Sequence, residues 1–260
     1  MNINDFEALD LEPQNGKLTA EQINKVKGLG FLRDKRYENV FNARVITRNG
    51  KITTDEQRHI ADAADRFGSG EVAMTSRLTI EIQGIEYNNI PSLILFLKEK
   101  GLEVGGTGPK VRPIVSCKGT TCTFGLIDTF SLSQKIHERF YVGYHSTVLP
   151  HKFKIAVGGC PNNCVKPTLN DIGIMGWKGG CKVYIGGRWG KQHSIGQPLS
   201  KIFDTGEELM TLIEKALLFY KENGLPGERF ALTIQRIGFE EVEKQLLSDE
   251  ILERKKAILS

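Results

Sequence analysis

Five cysteines fall between residues 117 and 181, and four of them form two short-spaced pairs. Cys117 and Cys122 enclose four residues, whereas Cys160 and Cys164 enclose three. A four-iron cluster needs four thiolates that converge on one compact body, and two distant pairs of cysteines can supply them. The spacing therefore favours an iron–sulfur cluster with four ligands, Cys117, Cys122, Cys160 and Cys164.

Other uses of these cysteines stay open on spacing alone. A structural zinc site can also use four cysteines, but zinc ribbons favour two residues between paired ligands. Disulfides fit poorly with the polar, acidic first residues, which show no secretory signal. Unliganded thiols are the remaining alternative, and we expect Cys181 to be a buried free thiol.

Composition and charge limit the broad class of protein. The 260 residues are 40% hydrophobic and 25% charged, which is typical of a soluble globular protein. The formal net charge of +4 comes with no lysine- or arginine-rich block, so we expect no nucleic-acid partner. No apolar stretch is long enough for a membrane span, and we expect a cytoplasmic protein with reduced cysteines.

The residues before the cysteines alternate between strand and helix patterns. Residues 41–47 predict a strand, and Thr54 and Asp55 can cap a helix that runs to Gly68. Residues 71–85 alternate and are rich in β-branched side chains, which predicts one long strand. A helix opened by Pro91 follows. This order predicts a small ferredoxin-like α+β unit.

The rest of the chain predicts a second α/β region. The glycine-rich residues 101–109 are a plausible junction between the two. Residues 153–157 and 182–187 predict strands, and residues 207–224 have helical periodicity with a glycine stop. A last amphipathic segment closes the chain, and its charge runs predict a solvated helix face.

Together these segments resemble the sulfite and nitrite reductase family. The strongest match is LPHKFKIAVGGCPNNC (149–164), which resembles the family's lysine pair joined to its second cysteine pair. Four further segments resemble the first cysteine pair, the arginine-bearing strand, the glycine-rich strand and the closing segment: CKGTTCTFGLIDT (117–129), MTSRLTIEIQGI (74–85), KVYIGGRWG (182–190) and ERFALTIQRIG (228–238). The resemblance covers roughly residues 40–245, in the family's order.

The resemblance implies two cofactors, a [4Fe-4S] cluster and a siroheme, with Cys164 bridging them through one thiolate. It also implies an anion site formed by Arg77 on the long strand, Arg112, Lys152 and Lys154. Because Lys152 and Lys154 are two residues apart, both would project from one face of a strand. Siroheme carries carboxylates, and Arg188, together with some of these four cations, is expected to hold them.

The implied organisation is an N-terminal extension (1–40), a ferredoxin-like α/β sandwich domain (41–105) and a siroheme and [4Fe-4S] α/β domain (106–260). The fold class is therefore α+β. Larger family members contain two copies of this unit, and the basic residues of one copy complete the site with the cysteines of the other. Since this chain has one copy, we expect a homodimer that rebuilds the composite site.

Two positions depart from the family pattern. The first cysteine pair encloses one residue fewer than in many members, and Ala73 replaces an arginine common earlier on the long strand. The five histidines show no metal-ligand spacing, although His151 is a candidate proton donor in the anion site.

The function expected from the resemblance is reduction of sulfite to sulfide. No G-x-G-x-x-G fingerprint is present, so electrons would come from a separate donor such as a ferredoxin or another reductase subunit. Reduction of nitrite to ammonia is the nearest alternative. Two alternatives without catalysis are an electron-transfer or accessory subunit and a zinc-structured binding module.

Overall fold

The structure is a computed structural model in which residues 16–260 are described. Residues 1–15 of the expected N-terminal extension lie outside the described residues. The chain divides into two compact units, one up to Gly108 and the other Pro109–Ser260, and the boundary falls within the glycine-rich segment. No helix in the described part of the chain is long and apolar enough to cross a membrane.

The first unit is a four-stranded sheet with helices. The sheet order is β1-β2-β4-β3, and every neighbouring pair is antiparallel. Its elements are α1 (Ala20–Leu29), β1 (Phe31–Arg33), β2 (Val40–Val45), α2 (Thr54–Phe67), β3 (Val72–Met74), β4 (Ile80–Glu86) and α3 (Ile90–Lys98). Apolar side chains of these strands and helices form one core. Helix α1 and strand β1 lie in the region expected to be an extension.

The start of α2 differs from the prediction by one residue. Thr53, rather than Thr54 or Asp55, is the N-cap: its hydroxyl accepts from the Glu56 N–H, and the Glu56 carboxylate accepts from the Thr53 N–H. This reciprocal capping box satisfies two amides that the first turn of a helix leaves without partners.

The single long strand predicted over 71–85 is wrong, because the segment folds back as the hairpin β3–β4. The hydroxyl of Thr75 accepts from the N–H groups of Arg77 and Thr79, and Leu78 adopts a left-handed φ of 60°. These side-chain contacts close a turn that alternation of apolar residues does not reveal. Arg77 therefore lies in a turn and not on a strand.

The second unit contains a mixed five-stranded sheet of order β5-β6-β7-β8-β9. Strands β5, β6 and β7 run parallel, whereas β8 and β9 continue antiparallel. The strands are β5 (Val115–Ser116), β6 (Ile155–Gly158), β7 (Ile172–Trp177), β8 (Gly180–Ile185) and β9 (Gln197–Phe203). The helices are α4 (Thr129–Ile136), α5 (Glu207–Asn223), α6 (Phe230–Ile237), α7 (Phe239–Leu247), α8 (Glu250–Glu253) and α9 (Lys255–Leu259).

The predicted helix over 207–224 is confirmed, and most of α5 is buried in the core of this unit. Strand β6 begins two residues later than predicted and β8 two residues earlier. The closing amphipathic segment is three short helices rather than one. Helix α4 continues into a π-helical turn, His137–Val142.

Gly30 offers a test of the packing in the first unit. It ends α1 at a φ of 110°, and a Cβ there would lie 2.3 Å from the backbone nitrogen of Gly105. Because strain and clash combine, we expect Gly30→Ala to lower the free energy of unfolding by at least about 2 kcal/mol in urea denaturation. Gly28→Ala is the matched control, since Gly28 is helical with nothing within 4 Å of the added Cβ. Equal stability of the two variants would contradict this packing.

Candidate active site

The two cysteine pairs lie in loops at the same end of the sheet. Strands β5 and β6 are parallel, with Val115 opposite Ala156 and Ser116 opposite Val157. Cys117 directly follows β5, and its N–H donates to the Val157 carbonyl at 3.1 Å. Because the carboxyl ends of parallel neighbours meet at one edge, the loop from Cys117 and the loop from Cys160 begin side by side.

Gly159 joins the two loops. Its N–H donates to the Cys117 Sγ at 3.1 Å, and its carbonyl accepts from the Leu126 N–H at 2.8 Å. A Cβ on Gly159 would lie 2.8 Å from the Gly119 Cα, so only glycine fits this close approach. Hydrogen bonds from backbone amides to ligand sulfurs are a means by which proteins tune iron–sulfur clusters.

Hydroxyl groups hold the first cysteine loop against α4. The Thr129 Oγ1 donates to the Cys117 carbonyl at 2.8 Å and accepts from the Thr120 N–H at 3.2 Å. The Thr120 hydroxyl in turn donates to Asp128 at 2.7 Å. These hydroxyl groups satisfy the Cys117 carbonyl and the Thr120 N–H, and they fix the loop against the start of α4.

The second cysteine loop has an unusual backbone. Asn163 and Lys166 adopt left-handed φ angles of 56° and 50°, which cost energy for residues other than glycine. The buried Oδ1 of Asn163 accepts no hydrogen bond. Pro167 packs closely against Gly173 of β7. A Cβ added to Gly173 would lie 2.3 Å from the Pro167 carbonyl oxygen. Such outliers persist where the surroundings over-determine them, often at ligand sites.

The cysteine thiols of the second unit differ in burial. Four free thiols are partly or fully exposed. The fifth, Cys181, is fully buried, and burial raises the pKa of its thiol to about 12, as expected for an inert core thiol. Among residues 16–260, no group of three or more His, Cys, Asp or Glu side chains is arranged to hold one metal ion.

The two lysines of the predicted pair lie on either side of a buried aromatic residue, Phe153. Phe153 is fully buried, with ring centroids 5.7 Å from Tyr220 and 5.3 Å from Phe230. Lys152 and Lys154 flank it and are partly exposed. They lie immediately before β6 rather than within a strand, yet the alternation of buried and exposed side chains is the one expected.

Arg112 lies beside the lysine pair. The Phe153 N–H donates to the Lys110 carbonyl at 3.0 Å, and the Arg112 N–H donates to the Phe153 carbonyl at 2.8 Å. These bonds hold the segment before β5 next to the segment before β6. Arg112 is partly exposed, like the two lysines.

Further basic residues lie near enough to Lys152 and His151 to affect their pKa values. Burial lowers the pKa of the Lys152 ammonium, and the positive charges of Arg229 and Arg112 lower it further. Burial also lowers the pKa of the His151 imidazole, helped by Lys152 and three arginines, one of which is Arg188. The Lys152 N–H donates to the His151 Nδ1 at 2.8 Å, so the neutral ring carries its proton on Nε2. A site of this kind can bind an anion and donate protons.

Arg188 lies in the loop between β8 and β9. It pairs with Ser194 across the loop, and its Nη1 donates to the Gln192 Oε1 at 2.8 Å. A cavity of about 690 Å³ beside the loop is lined by Arg188, His193 and residues of α6. This volume lies within the range of small-molecule and cofactor sites.

The basic residues and the cysteines occupy opposite ends of the parallel strands. Arg112 precedes β5 and the lysine pair precedes β6, whereas the cysteine loops follow these strands. Strand β6 has four residues, which at about 3.3 Å per residue is about 13 Å. Thus Arg112, Lys152, Lys154 and Arg188 come together, but away from the strand ends that carry the cysteines. Arg77 lies in the first unit.

Two charged residues beside the basic cluster, which comprises Arg112, Lys152, Lys154 and Arg188, were missed by the sequence interpretation. Asp171 and Arg229 form a buried ion pair of 2.9 Å next to Lys154. Each stands directly before an apolar run, IGIM or FAL, and a charge at the edge of a buried segment is the signal that could have found them.

Comparison with known proteins places this site in a family. The model of the nitrite and sulphite reductase 4Fe-4S domain matches residues 107–256, and that of the nitrite/sulfite reductase ferredoxin-like half domain matches residues 33–100. The chain belongs to the nitrite and sulphite reductase family. This match agrees with both expected cofactors, the [4Fe-4S] cluster and siroheme.

Three relatives show the range of similarity. The chain is 37% identical over 146 residues to the coenzyme F420-dependent sulfite reductase of Methanocaldococcus jannaschii, covering 55% of this chain and 23% of the relative. It is 30% identical over 203 residues to the nitrite reductase [NAD(P)H] of Bacillus subtilis, covering 77% and 24%. It is 28% identical over 200 residues to the assimilatory-type sulfite reductase of Nitratidesulfovibrio vulgaris, covering 76% and 88%. The chain thus spans about a quarter of the length of the first two relatives.

Solved structures share the fold. NirA of Mycobacterium tuberculosis is similar with a TM-score of 0.82 at 17% identity, over 95% of this chain and 50% of NirA. Dissimilatory sulfite reductase I is similar with a TM-score of 0.72 at 16% identity, over 94% of this chain and 83% of that chain. Together with the family matches, these similarities confirm the predicted α+β fold with its ferredoxin-like part.

Gly159→Ala tests the junction of the two cysteine loops without removing a thiol. The added Cβ must displace Gly119 or Thr129, which lie 2.8 and 3.2 Å away. We expect the iron and acid-labile sulfide content of anaerobically purified protein to fall by more than about half, because the four sulfurs no longer converge. Cys181→Ala is the control, since it removes a buried thiol outside the loops. Full iron content in Gly159→Ala, or equal loss in both variants, would argue against this junction.

Proposed function

We propose that this chain is a siroheme- and [4Fe-4S]-dependent oxidoreductase that reduces sulfite to sulfide with electrons from a separate donor protein. The observation that carries this proposal is the basic cluster, in which burial lowers the pKa of Lys152 and the positive charges of Arg229 and Arg112 lower it further. Within a family of oxyanion reductases, such a concentration of positive charge suits binding and protonation of a small anion.

The cysteine loops are the proposed cluster site, where Cys117, Cys122, Cys160 and Cys164 would hold the cluster and Cys164 would also contact the siroheme. Arg188 is proposed to hold siroheme carboxylates. When bound, the two cofactors supply the electrons for a multi-electron reduction. The Gly159 N–H on the Cys117 sulfur stabilises negative charge at that ligand.

The proposed roles of the basic residues follow from their chemistry. Arg112 and Arg77 offer planar guanidinium groups that can bind two oxygens of an oxyanion at once. Lys152 and Lys154 hold charge against the anion, and a lysine with a lowered pKa releases its proton more readily to a departing oxygen. His151 can donate through Nε2. These groups stabilise the negative charge that develops as oxygen leaves as water.

Sulfite is the proposed substrate because two of the relatives above bear the name sulfite reductase. Nitrite is the second candidate, and the similarity to a nitrite reductase over 77% of this chain favours it. The basic cluster argues against a non-catalytic accessory subunit, which would have no use for four convergent cations. The cytoplasmic location expected from the sequence is part of this proposal.

We also propose that two copies of the chain form the complete site. The basic residues precede β5 and β6 while the cysteines follow them, so one set cannot reach the other along the same strands. In a symmetric dimer, Arg77, Arg112, Lys152 and Lys154 of one protomer would face Cys164 of its partner. The electron donor would be a ferredoxin or another reductase subunit.

Lys152→Met tests the proton-donor role. With chemically reduced viologen as donor, we expect wild-type protein to form sulfide from sulfite, and the variant to lose at least about 100-fold in kcat with unchanged siroheme absorption. Because the acid form is needed and its pKa lies below the usual 10.5, wild-type kcat should fall as pH rises through that pKa. The variant should lack this limb.

Lys244→Met, on the exposed surface of α7, is the matched control and should behave as wild type. A wild-type kcat in Lys152→Met would refute the assigned role. Ammonia from nitrite with no sulfide from sulfite would replace the proposed substrate by its alternative.

Mixed dimers test the composite site. Cys164→Ala and Lys152→Met should each be inactive, but a heterodimer carrying one copy of each should regain about half of the wild-type activity, since one of its two sites is intact. Purification through two different affinity tags isolates this heterodimer. An inactive heterodimer, or a fully active monomer, would contradict the proposal.

A further inference from the structure

Asp171 connects three segments within the basic cluster. Its Oδ2 accepts the backbone N–H of Lys154 at 2.8 Å, and its main-chain carbonyl accepts the N–H of Gly186 at 3.1 Å. Both carboxylate oxygens also accept from Nη2 of Arg229, at 3.0 and 2.9 Å. Lys154 belongs to the lysine pair, and Gly186 is at the base of the loop that carries Arg188.

The ion pair is more deeply buried than the groups around it. The side chain of Asp171 is 0% exposed and that of Arg229 is 5% exposed. Burial raises the pKa of the Asp171 carboxyl, and the Arg229 guanidinium and the Lys154 N–H oppose this by stabilising the carboxylate. A buried charge that loses its partner is strongly destabilised, so each member requires the other.

The backbone N–H and the backbone carbonyl of Lys154 both form hydrogen bonds with residues at the start of β7. Its N–H donates to Asp171, and its carbonyl accepts from the Ile172 N–H at 3.0 Å. Phe153, the residue before Lys154, is buried in the core. The direction in which Lys154 projects is therefore set by Asp171 together with one backbone bond. The main-chain carbonyl of Asp171, which accepts from the Gly186 N–H, connects Asp171 to the loop of Arg188.

We propose that Asp171, through its pair with Arg229, is a positioning residue that aims Lys154 at a bound anion. Arg229 balances the carboxylate, so that Asp171 holds the segments without cancelling the positive charge offered to the anion. The identity of the anion rests on the proposed function. The positioning itself does not, because it concerns contacts within this chain.

Glu214 provides a comparison for a role in stability alone. It is also a buried carboxylate of the second unit, and it accepts from Tyr144, Arg139 and Lys255. These partners lie on α4's π-helical extension, the following loop and the C-terminal helix α9, and none belongs to the basic cluster. Glu214→Gln should therefore disturb a buried ionic network as Asp171→Asn does, without moving the lysine pair.

The experiment compares wild type, Asp171→Asn and Glu214→Gln as purified holoprotein. The rate at which acetic anhydride labels Lys154 is measured by peptide mass spectrometry, and sulfite affinity is measured from the shift of the siroheme absorption bands. We expect Asp171→Asn to raise the Lys154 labelling rate severalfold and to weaken sulfite binding by about tenfold or more. Glu214→Gln should leave both quantities at the wild-type level.

A second variant separates positioning from folding. Asp171→Leu/Arg229→Met removes both charges together, a change that buried ion pairs often tolerate. It should keep the wild-type melting temperature within a few degrees, yet show the labelling and binding changes of Asp171→Asn. A folded double variant with wild-type labelling would overturn the proposal, as would equal changes in Glu214→Gln.

The two proposals fail in different ways. If wild-type protein shows no siroheme bands or no response to sulfite, the proposed function is wrong, while the labelling of Lys154 still decides whether Asp171 positions it. If sulfite binds normally to a folded Asp171→Asn protein with unchanged labelling, the proposed function stands and the positioning role is wrong.

Discussion

The parallel pairing of β5 with β6 determines where both kinds of functional group in the second unit can lie. Two parallel strands present their amino ends at one edge and their carboxyl ends at the other. The basic residues Arg112, Lys152 and Lys154 precede these strands, and the cysteines follow them. A shift in this register would break two contacts at once. The Cys117 sulfur would lose the Gly159 N–H, and the Arg112 N–H would lose the Phe153 carbonyl.

Each edge solves a different problem of burial. At the cysteine edge, the Thr129 hydroxyl donates to the Cys117 carbonyl and the Gly159 amide donates to the Cys117 sulfur. At the basic edge, burial lowers the pKa of Lys152 and of His151, and repulsion from the neighbouring positive charges lowers it further. The buried ring of Phe153 and the buried carboxylate of Asp171 hold the segment of the lysine pair in place despite that repulsion. An anion bound among these cations would relieve it.

Features encoded by local spacing were predictable from the sequence. The two cysteine pairs, the alternation around Phe153 and the helix Glu207–Asn223 follow from residues close together in the chain. The turn that holds Arg77 was not predicted, because hydroxyl contacts of Thr75 override an alternating pattern. The Asp171–Arg229 pair joins residues 58 positions apart, and no local pattern indicates which distant charges will meet. The separation of basic residues and cysteines likewise required the strand pairing.

The claim on which the account depends is that the two loops hold one four-iron cluster. Mössbauer spectroscopy of anaerobically purified protein enriched in iron-57 tests it most directly, because the spectrum reports the number and coupling of iron sites. We expect the signature of one [4Fe-4S] cluster and of a siroheme iron coupled to it, and loss of the cluster signal in Cys160→Ala. A spectrum of isolated tetrahedral iron, or a protein containing zinc and no iron, would contradict it.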